Sequence, residues 1–164
     1  MDDVRTVLDA TGLEAERLVL EITEGVLMQD TRAALERLHA LKDLGVRLAV
    51  DDFGTGYSSL AYLQRFPLDV LKLDKAFVDP LARGGPHVAL ARTVLALGDA
   101  LGLRCVAEGV ETAEQRAQLV ALGCGWGQGY LFARPLPAEA MRERLAEQAG
   151  ALAAGREVVR ARAA

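Results

Sequence analysis

Acidic residues recur at or near the ends of short apolar segments along this sequence. The carboxylates concerned are Glu21, Asp51, Asp52 and Glu108, and Lys72 and Gln128 lie in similar apolar surroundings. Charged side chains within apolar strands are costly unless they are paired or bound to a metal ion. Four convergent carboxylates repel one another, and a bound cation relieves that repulsion. Because all of these ligands are oxygens, the predicted ion is a hard one such as Mg²⁺ or Mn²⁺.

The adjacent pair Asp51-Asp52 indicates two metal ions. Successive side chains of a strand face opposite sides, but a backbone that turns at the strand end can bring both together. Two ions about 3.5–4 Å apart can activate a water molecule and stabilise an in-line phosphoryl displacement. Lys72 would then orient the water or neutralise charge on phosphorus. The alternative interpretation is structural, with each carboxylate capping a helix or forming a salt bridge.

An alternation of strands and helices positions these residues. Apolar runs predict five strands, over residues 18–23, 46–50, 70–74, 104–108 and 127–132. Helical spacing and start signals predict helices over residues 31–44, 58–66, 87–101 and 112–122, and a last helix that begins at Pro137. Three of these helices end in Leu-Gly, where the glycine supplies the left-handed residue that stops a helix.

The repeated order of strand, helix, glycine and strand is typical of parallel βα units. Strands in such sheets are buried on both faces, and ligands bind at their carboxyl ends. The helix over residues 87–101 has one apolar stripe, formed by Leu90, Val94, Leu97 and Leu101. Thr112 and Gln115 predict a capping box at the start of the next helix.

The composition is that of an ordinary soluble domain, with 164 residues, 51% hydrophobic content and a formal net charge of −4. This acidic balance argues against a DNA- or RNA-binding surface, and no apolar run reaches the roughly 18 residues of a membrane helix. Cys105 and Cys124 match no metal or redox spacing, so we expect reduced thiols in a cytoplasmic protein. His39 and His87 fall within predicted helices, which argues against a histidine-based zinc site. Residues 150–164 predict a frayed helix or a disordered tail.

Five motifs in a fixed order resemble those of the EAL domain family. They are Leu-Glu-Ile-Thr-Glu at 20–24, Asp-Asp-Phe-Gly-Thr-Gly-Tyr-Ser-Ser-Leu at 51–60, Lys-Leu-Asp at 72–74, Ala-Glu-Gly-Val-Glu-Thr at 107–112 and Gln-Gly-Tyr at 128–130. The resemblance implies a TIM-like (β/α) barrel that hydrolyses the bacterial second messenger cyclic di-GMP to linear pGpG. It also implies dependence on Mg²⁺ or Mn²⁺ and inhibition by Ca²⁺.

The same resemblance implies roles for individual residues. The implied metal ligands are Glu21, Asp51, Asp52 and Glu108, and the implied catalytic residues are Lys72, Glu108 and Asp52. Gln128 is similar to an active-site contact, and Glu111 to a group that supports the site or faces the substrate. Glu24 is similar to the residue that steadies the Asp-Asp-Phe-Gly loop at 51–54. The segment over residues 53–59 is a candidate lid because its glycines permit hinge motion. Since that loop lies at the family's dimer interface, a homodimer or association with another signalling domain is a further implication.

The chain departs from the family pattern in its N-terminal part. It contains no Glu-Ala-Leu motif and no asparagine, whereas the family draws a Glu and an Asn ligand from its first two barrel strands. We therefore expect residues 1–149 to form an EAL domain without its N-terminal third, with about five βα units of a barrel that needs eight strands. Without two ligands, the isolated chain is predicted to be weakly active or inactive. The alternative is a cyclic di-GMP-binding or protein-interaction module.

Overall fold

A parallel sheet, with helices in the connections between its strands, forms the centre of the protein. This computed structural model describes residues 2–28, 31–54 and 63–153. Within those residues four strands pair in the order β1-β2-β3-β4, with β1 at Val19–Thr23, β2 at Arg47–Phe53, β3 at Val70–Leu73 and β4 at Arg104–Ala107. All three pairings are parallel. The predicted α/β class with a partial TIM-like barrel is confirmed.

One helix precedes these strands, and others connect them and follow the last one. They are α1 at Asp2–Thr11, α2 at Glu24–Met28, α3 at Thr31–Lys42, α4 at Lys75–Val78, α5 at Pro86–Ala100, α6 at Ala113–Ala121 and α7 at Ala138–Ala153. Short 3₁₀ turns occur at Ala15–Arg17 and Asp79–Arg83. None of the described helices combines the length and the apolar character that crossing a bilayer requires.

The predicted helix ends and caps are confirmed. The glycines after α3, α5 and α6 have φ angles of 90°, 70° and 87° at Gly45, Gly102 and Gly123, so each chain reversal uses a left-handed residue. Thr112 Oγ1 accepts a hydrogen bond from the Gln115 N–H at 3.2 Å, and the Gln115 side chain accepts from the Thr112 N–H at 2.9 Å. The reciprocal pair fixes where α6 begins, immediately after the segment that carries Glu108.

The main core lies between the sheet and the helices on one of its faces. Strand β3 is buried along its whole length, as expected for a strand covered on both sides. The same expectation is wrong for β1, whose residues are only half-buried or exposed. In the described sheet β1 is an edge strand with one neighbour, so one side of it has no strand to exclude water.

The buried face of α5 is rotated relative to the predicted apolar stripe. Leu90 is 52% exposed, whereas Ala91, Val94, Leu95 and Gly98 face the core. A side chain at Gly98 would overlap the Cys105 sulfur of β4. The close approach of helix to sheet therefore selects small residues on this face and turns Leu90 outward.

The fifth strand predicted over residues 127–132 is wrong. Within the described residues this segment forms a single bridge, between Gly127 and Ala107. The chain then bends away, since the carbonyl of Gln128 accepts from the Val110 N–H at 3.0 Å rather than continuing along β4. Gly129, with a φ of 154°, lies against the backbone of Val110, where a side chain would collide. Gln128 is consequently held by a turn beside the end of the sheet.

The remaining predictions concern the cysteines and histidines, which the structure describes, and three segments that it largely does not describe. Cys105 and Cys124 are free thiols, and His39 and His87 lie exposed on helices, as predicted. The loop over 53–59 and the helix over 58–66 lie largely outside the described residues, as does the tail beyond residue 153, where α7 ends.

Candidate active site

The face of the sheet opposite the main core carries an apolar layer and, two residues further along each strand, a charged layer. The apolar layer consists of Val19, Ala49, Val70 and Val106, with Trp126 packed against them. Because side chains on one face of a strand recur every second residue, the next layer is Glu21, Asp51, Lys72 and Glu108. The parallel register places these four groups at the carboxyl ends of neighbouring strands.

Lys72 is the centre of the charged layer. Its Nζ lies 2.7 Å from Glu21 Oε2, 3.0 Å from Asp51 Oδ1 and 2.8 Å from Glu108 Oε1, and its side chain is only 3% exposed. Burial by itself would lower the pKa of Lys72, but the hydrogen bonds to its three carboxylates outweigh burial and raise that pKa above its ordinary value. The ammonium group is therefore charged at neutral pH and offsets the repulsion among the acids.

A bulge in β2 brings Asp51 and Asp52 to the same side. The β2–β3 register shifts between Val50 and Phe53, and Asp52 has a φ of 54°, in the left-handed region. Carboxylate oxygens of Asp51, Asp52 and Glu108 all lie within 4.8 Å of one another as a result. The charge of Asp51 raises the pKa of Asp52, in line with two like charges held close together.

Glu108 joins this cluster to the segment that follows β4. Burial raises the pKa of Glu108, and the neighbouring ammonium of Lys72 opposes that rise. The Gln128 side-chain amide donates a hydrogen bond to Glu108 Oε1. Gln128 thus fixes the orientation of one carboxylate of the cluster, although it does not lie on a strand.

Glu24 and Glu111 lie outside the cluster. Glu24, 7% exposed, accepts a hydrogen bond from the Gly54 N–H at 3.2 Å, so it holds the residue that follows β2. Glu111 pairs with Lys75, away from the charged layer. Glu111 lines a cavity of about 470 Å³ together with Gln128.

Three features of this region were missed by sequence reasoning. Lys75 was not singled out, although it follows the Lys-Leu-Asp motif directly and lines the cavity. Arg134 stacks over the Tyr130 ring at 4.4 Å in the same cavity wall, a contact that no local spacing indicates. Asp74 was recognised as part of the Lys-Leu-Asp motif but was given no role; it caps α4 by accepting from the Ala76 N–H at 2.7 Å, and its charge also contributes to the raised pKa of Asp52.

The donor set fits a hard divalent cation. Asp51, Asp52 and Glu108 offer three carboxylates at close range, and no nitrogen or sulfur donor belongs to the group. Oxygen-only donors suit Mg²⁺, Mn²⁺ and Ca²⁺ better than zinc or copper, whose protein sites usually include histidine or cysteine. Glu21 adds a fourth carboxylate, because it contacts Lys72 together with Asp51 and Glu108.

The EAL domain family model matches residues 1–135 of this sequence. The chain belongs to the EAL domain family. Among curated relatives, this EAL chain is 47% identical over 139 residues to the bifunctional diguanylate cyclase/cyclic di-GMP phosphodiesterase MucR of Pseudomonas aeruginosa. That alignment covers 85% of the chain and 20% of MucR. The chain thus spans about a fifth of the length of the curated relatives it matches.

Solved EAL structures share the fold described above. The PaMucR phosphodiesterase in complex with c-di-GMP superposes with a TM-score of 0.81 at 46% identity, over 85% of this chain and 57% of that one. The EAL domain of Mycobacterium smegmatis DcpA gives a TM-score of 0.84 at 40% identity, over 89% and 66%. Klebsiella pneumoniae BlrP1, solved as a manganese and cyclic di-GMP complex, gives 0.75 at 37% identity, over 82% and 35%.

Proposed function

We propose that this chain carries the larger part of a metal-dependent phosphodiesterase site that hydrolyses cyclic di-GMP to linear pGpG. One observation carries the proposal: a buried lysine contacts three carboxylates at the carboxyl ends of successive parallel strands, beside a fourth acid. A purely structural salt bridge needs one acid per base, and three acids on one base leave an excess of negative charge that a cation can satisfy. The solved complexes of MucR and BlrP1 with cyclic di-GMP support this choice of substrate.

In this proposal the metal ligands are Glu21, Asp51, Asp52 and Glu108, and the ion is Mg²⁺ or Mn²⁺. A bound ion of this kind would lower the pKa of a water molecule and stabilise negative charge on the phosphoryl oxygens. The manganese complex of BlrP1 supports the metal class. Oxygen-only donors support it independently.

The catalytic residues in this proposal are Lys72, Asp52 and Glu108. The Lys72 ammonium is charged and buried, which suits it to orient a water or to balance charge that develops on phosphorus. Asp52 lies beside Asp51 and Glu108 lies beside Lys72, so both carboxylates could accept a hydrogen bond from a water molecule held at the site. Gln128 contributes by orienting Glu108, and Glu24 by holding Gly54.

The isolated chain is proposed to bind metal and substrate more readily than it turns substrate over. The ligands of the Glu-Ala-Leu motif and the asparagine expected from the family do not occur in this sequence. A metal with an incomplete ligand set binds more weakly and positions its water less well. If turnover is absent, the same residues still define a cyclic di-GMP-binding module.

The test combines metal binding, ligand binding and product analysis. Mn²⁺ is titrated calorimetrically into the metal-free chain, then cyclic di-GMP is added, and products are separated after long incubation. We expect Mn²⁺-dependent ligand binding and slow pGpG formation, and Asp51→Asn should weaken Mn²⁺ binding about tenfold or more. Asp43→Asn, an exposed residue after α3, is the matched control and should leave both unchanged.

Three results distinguish the alternatives. Ligand binding without pGpG at saturating Mn²⁺ would favour the binding module. A folded chain that binds neither Mn²⁺ nor cyclic di-GMP would refute the proposed function. Equal Mn²⁺ affinity in parent and Asp51→Asn would show that the metal binds elsewhere.

Cellular location and assembly belong to the same proposal. A cytoplasmic location is supported by the free thiols of Cys105 and Cys124, because disulfides persist mainly in oxidising compartments. Association with a second chain or another signalling domain is part of this proposal and is supported by the curated relatives, of which this chain spans about a fifth. Measurement of the solution mass with and without cyclic di-GMP tests the second point.

A further inference from the structure

We propose that Lys75 is a positioning residue of this site, which neutralises Glu111 and holds the turn over residues 108–112 that forms one wall of the cavity. The inference rests on the proposed function, because it concerns how an anionic phosphodiester is accepted beside the acidic cluster. It concerns residues outside that cluster, and it gives Lys75 a role that its sequence position alone does not indicate.

Lys75 contacts the turn with both its charge and its aliphatic stem. The Nζ atom forms an ion pair with Glu111 and lies 3.9 Å from Asp79 Oδ1. The stem packs directly under Gly109, where an added Cβ would approach three Lys75 carbons within 2.8 Å. Glycine suits position 109 for two reasons: its φ of 64° lies in the left-handed region, and a side chain would overlap the Lys75 stem.

Gln115 closes the network from the other side. Its side-chain oxygen accepts from the Glu111 N–H at 2.7 Å and the Thr112 N–H at 2.9 Å, and its Nε2 lies 3.5 Å from Asp79 Oδ1. Gln115 is 6% exposed. Lys75, Glu111, Gln115 and Asp79 therefore form one connected ring around the turn, in which Lys75 is the only cation.

The turn connects the ring to the acidic cluster. It begins at Glu108, whose N–H donates to the Leu73 carbonyl at 2.9 Å, and it contains Val110, whose N–H donates to the Gln128 carbonyl at 3.0 Å. Glu108 and Gln128 also share a side-chain hydrogen bond. These bonds anchor the start of the turn, so loss of Lys75 should loosen its far end at Glu111 and Thr112 while Glu108 stays in place.

The effect is expected on ligand affinity rather than on overall stability. The side chains of Lys75 and Glu111 are 45% and 40% exposed, and ion pairs this accessible contribute little to folding. The hydrogen bond to Glu111 raises the pKa of Lys75, so the ammonium group stays charged. Without Lys75, the Glu111 carboxylate is an uncompensated negative charge in the cavity wall, and it repels a phosphodiester.

The experiment uses the full chain and four variants. Lys75→Met retains the stem and removes the charge, Lys75→Arg retains the charge, and Lys75→Met/Glu111→Gln removes both charges. Lys42→Met is the matched control, because Lys42 Nζ contacts both Asp69 carboxylate oxygens, at 2.8 and 2.7 Å, at the opposite ends of the strands. Cyclic di-GMP affinity is measured with Ca²⁺, KM and kcat with Mn²⁺, and amide exchange at Glu111 and Thr112 by NMR.

For Lys75→Met we expect Kd and KM to rise about five- to tenfold, with kcat within about twofold of the parent, from one unit charge acting at a partly solvated site. Exchange at Glu111 and Thr112 should accelerate. Lys75→Arg should restore both readouts, the double variant should recover most of the affinity, and Lys42→Met should leave ligand affinity and this exchange unchanged.

Unchanged affinity together with unchanged exchange in Lys75→Met would overturn the proposal. It would also fail if the double variant bound as weakly as Lys75→Met, since Lys75 would then contact the ligand itself. If the folded parent chain neither binds nor cleaves cyclic di-GMP, the proposed function is refuted. In that case the exchange comparison between Lys75→Met and Lys42→Met still decides whether Lys75 holds the turn.

Discussion

Replacing Lys72 with methionine is the most informative perturbation of the charged layer. Methionine has a similar length and no charge, so it removes the cation from among Glu21, Asp51 and Glu108 with little change in packed volume. In metal-free solution at pH 7 these three acids would then repel one another without compensation. We expect the free energy of unfolding to fall.

The size of the loss follows from burial. Removing one partner of a fully buried ion pair costs about 3–5 kcal/mol. Here the side chains of Glu108 and Asp51 are 14% and 22% exposed, and that of Glu21 is 45% exposed, so water stabilises part of the remaining charge. A loss of about 2–3 kcal/mol is the corresponding expectation. The control Lys42→Met, whose single acid partner Asp69 is 32% exposed, should lose about 1 kcal/mol or less.

The loss should depend on pH and on metal in a defined direction. Lys72 opposes the rise that burial causes in the pKa of Glu108, so its removal should raise that pKa further. Protonation of Glu108 as the pH falls then stabilises Lys72→Met more than it stabilises the parent. The deficit of Lys72→Met should therefore shrink as the pH falls toward 4. Mn²⁺ should also reduce it at pH 7, because a bound cation replaces the missing charge.

Urea unfolding followed by circular dichroism measures all of these quantities. The titration is run on parent, Lys72→Met and Lys42→Met, at pH 7 and pH 4, with a chelator or with millimolar Mn²⁺. A Lys72→Met chain as stable as the parent in chelator at pH 7 would refute the electrostatic account of this layer. A deficit that grows toward pH 4 would refute it equally.

Three further predictions concern the surroundings of the site. In the same denaturation assay, Gly129→Ala should lower the free energy of unfolding by about 2–4 kcal/mol, because a Cβ there collides with the Val110 backbone. The control Gly125→Ala should be nearly neutral, because a Cβ there meets nothing within 4 Å. Burial raises the pKa of the Cys105 thiol to about 11. At pH 8, iodoacetamide should therefore modify Cys105 at least about tenfold more slowly in the native chain than in urea. Mass spectrometry follows the reaction, and equal rates would contradict the burial of this thiol. Thr112→Ala removes half of the capping box and should lower stability by about 1 kcal/mol, with Thr112→Ser restoring most of it.

Local signals account for the parts of the fold that the sequence predicted correctly. The glycines after three helices and the Thr112–Gln115 capping box act within one turn of backbone, so neighbouring residues suffice to predict them. The strands that carry Asp51, Lys72 and Glu108 were recognisable because buried parallel strands are continuously apolar. Because each of these side chains lies near the end of its strand, the sequence predicted that they meet at the carboxyl edge of one sheet, and the parallel register confirms this.

Errors arose where a residue's environment depends on a distant part of the chain. Leu90 has the same apolar character as its helical neighbours, and only the approach of Gly98 to Cys105 decides that it faces outward. The segment after Gly127 is apolar enough for a strand, but the contact of Gly129 with Val110 turns it away. Neither contact has a sequence period that could reveal it.

The sequence by itself determined which groups are available for chemistry and, apart from Gln128, which strand carries or directly precedes each one. Only the tertiary structure decided how they meet: Lys72 among three carboxylates, Asp52 turned beside Asp51 by a bulge, and Glu111 paired with Lys75 in a separate network. The physical reason is that strand periodicity is a local property of the backbone. The distance between charges on different strands, and hence their pKa values and their capacity to bind a cation, is set by sheet register and packing.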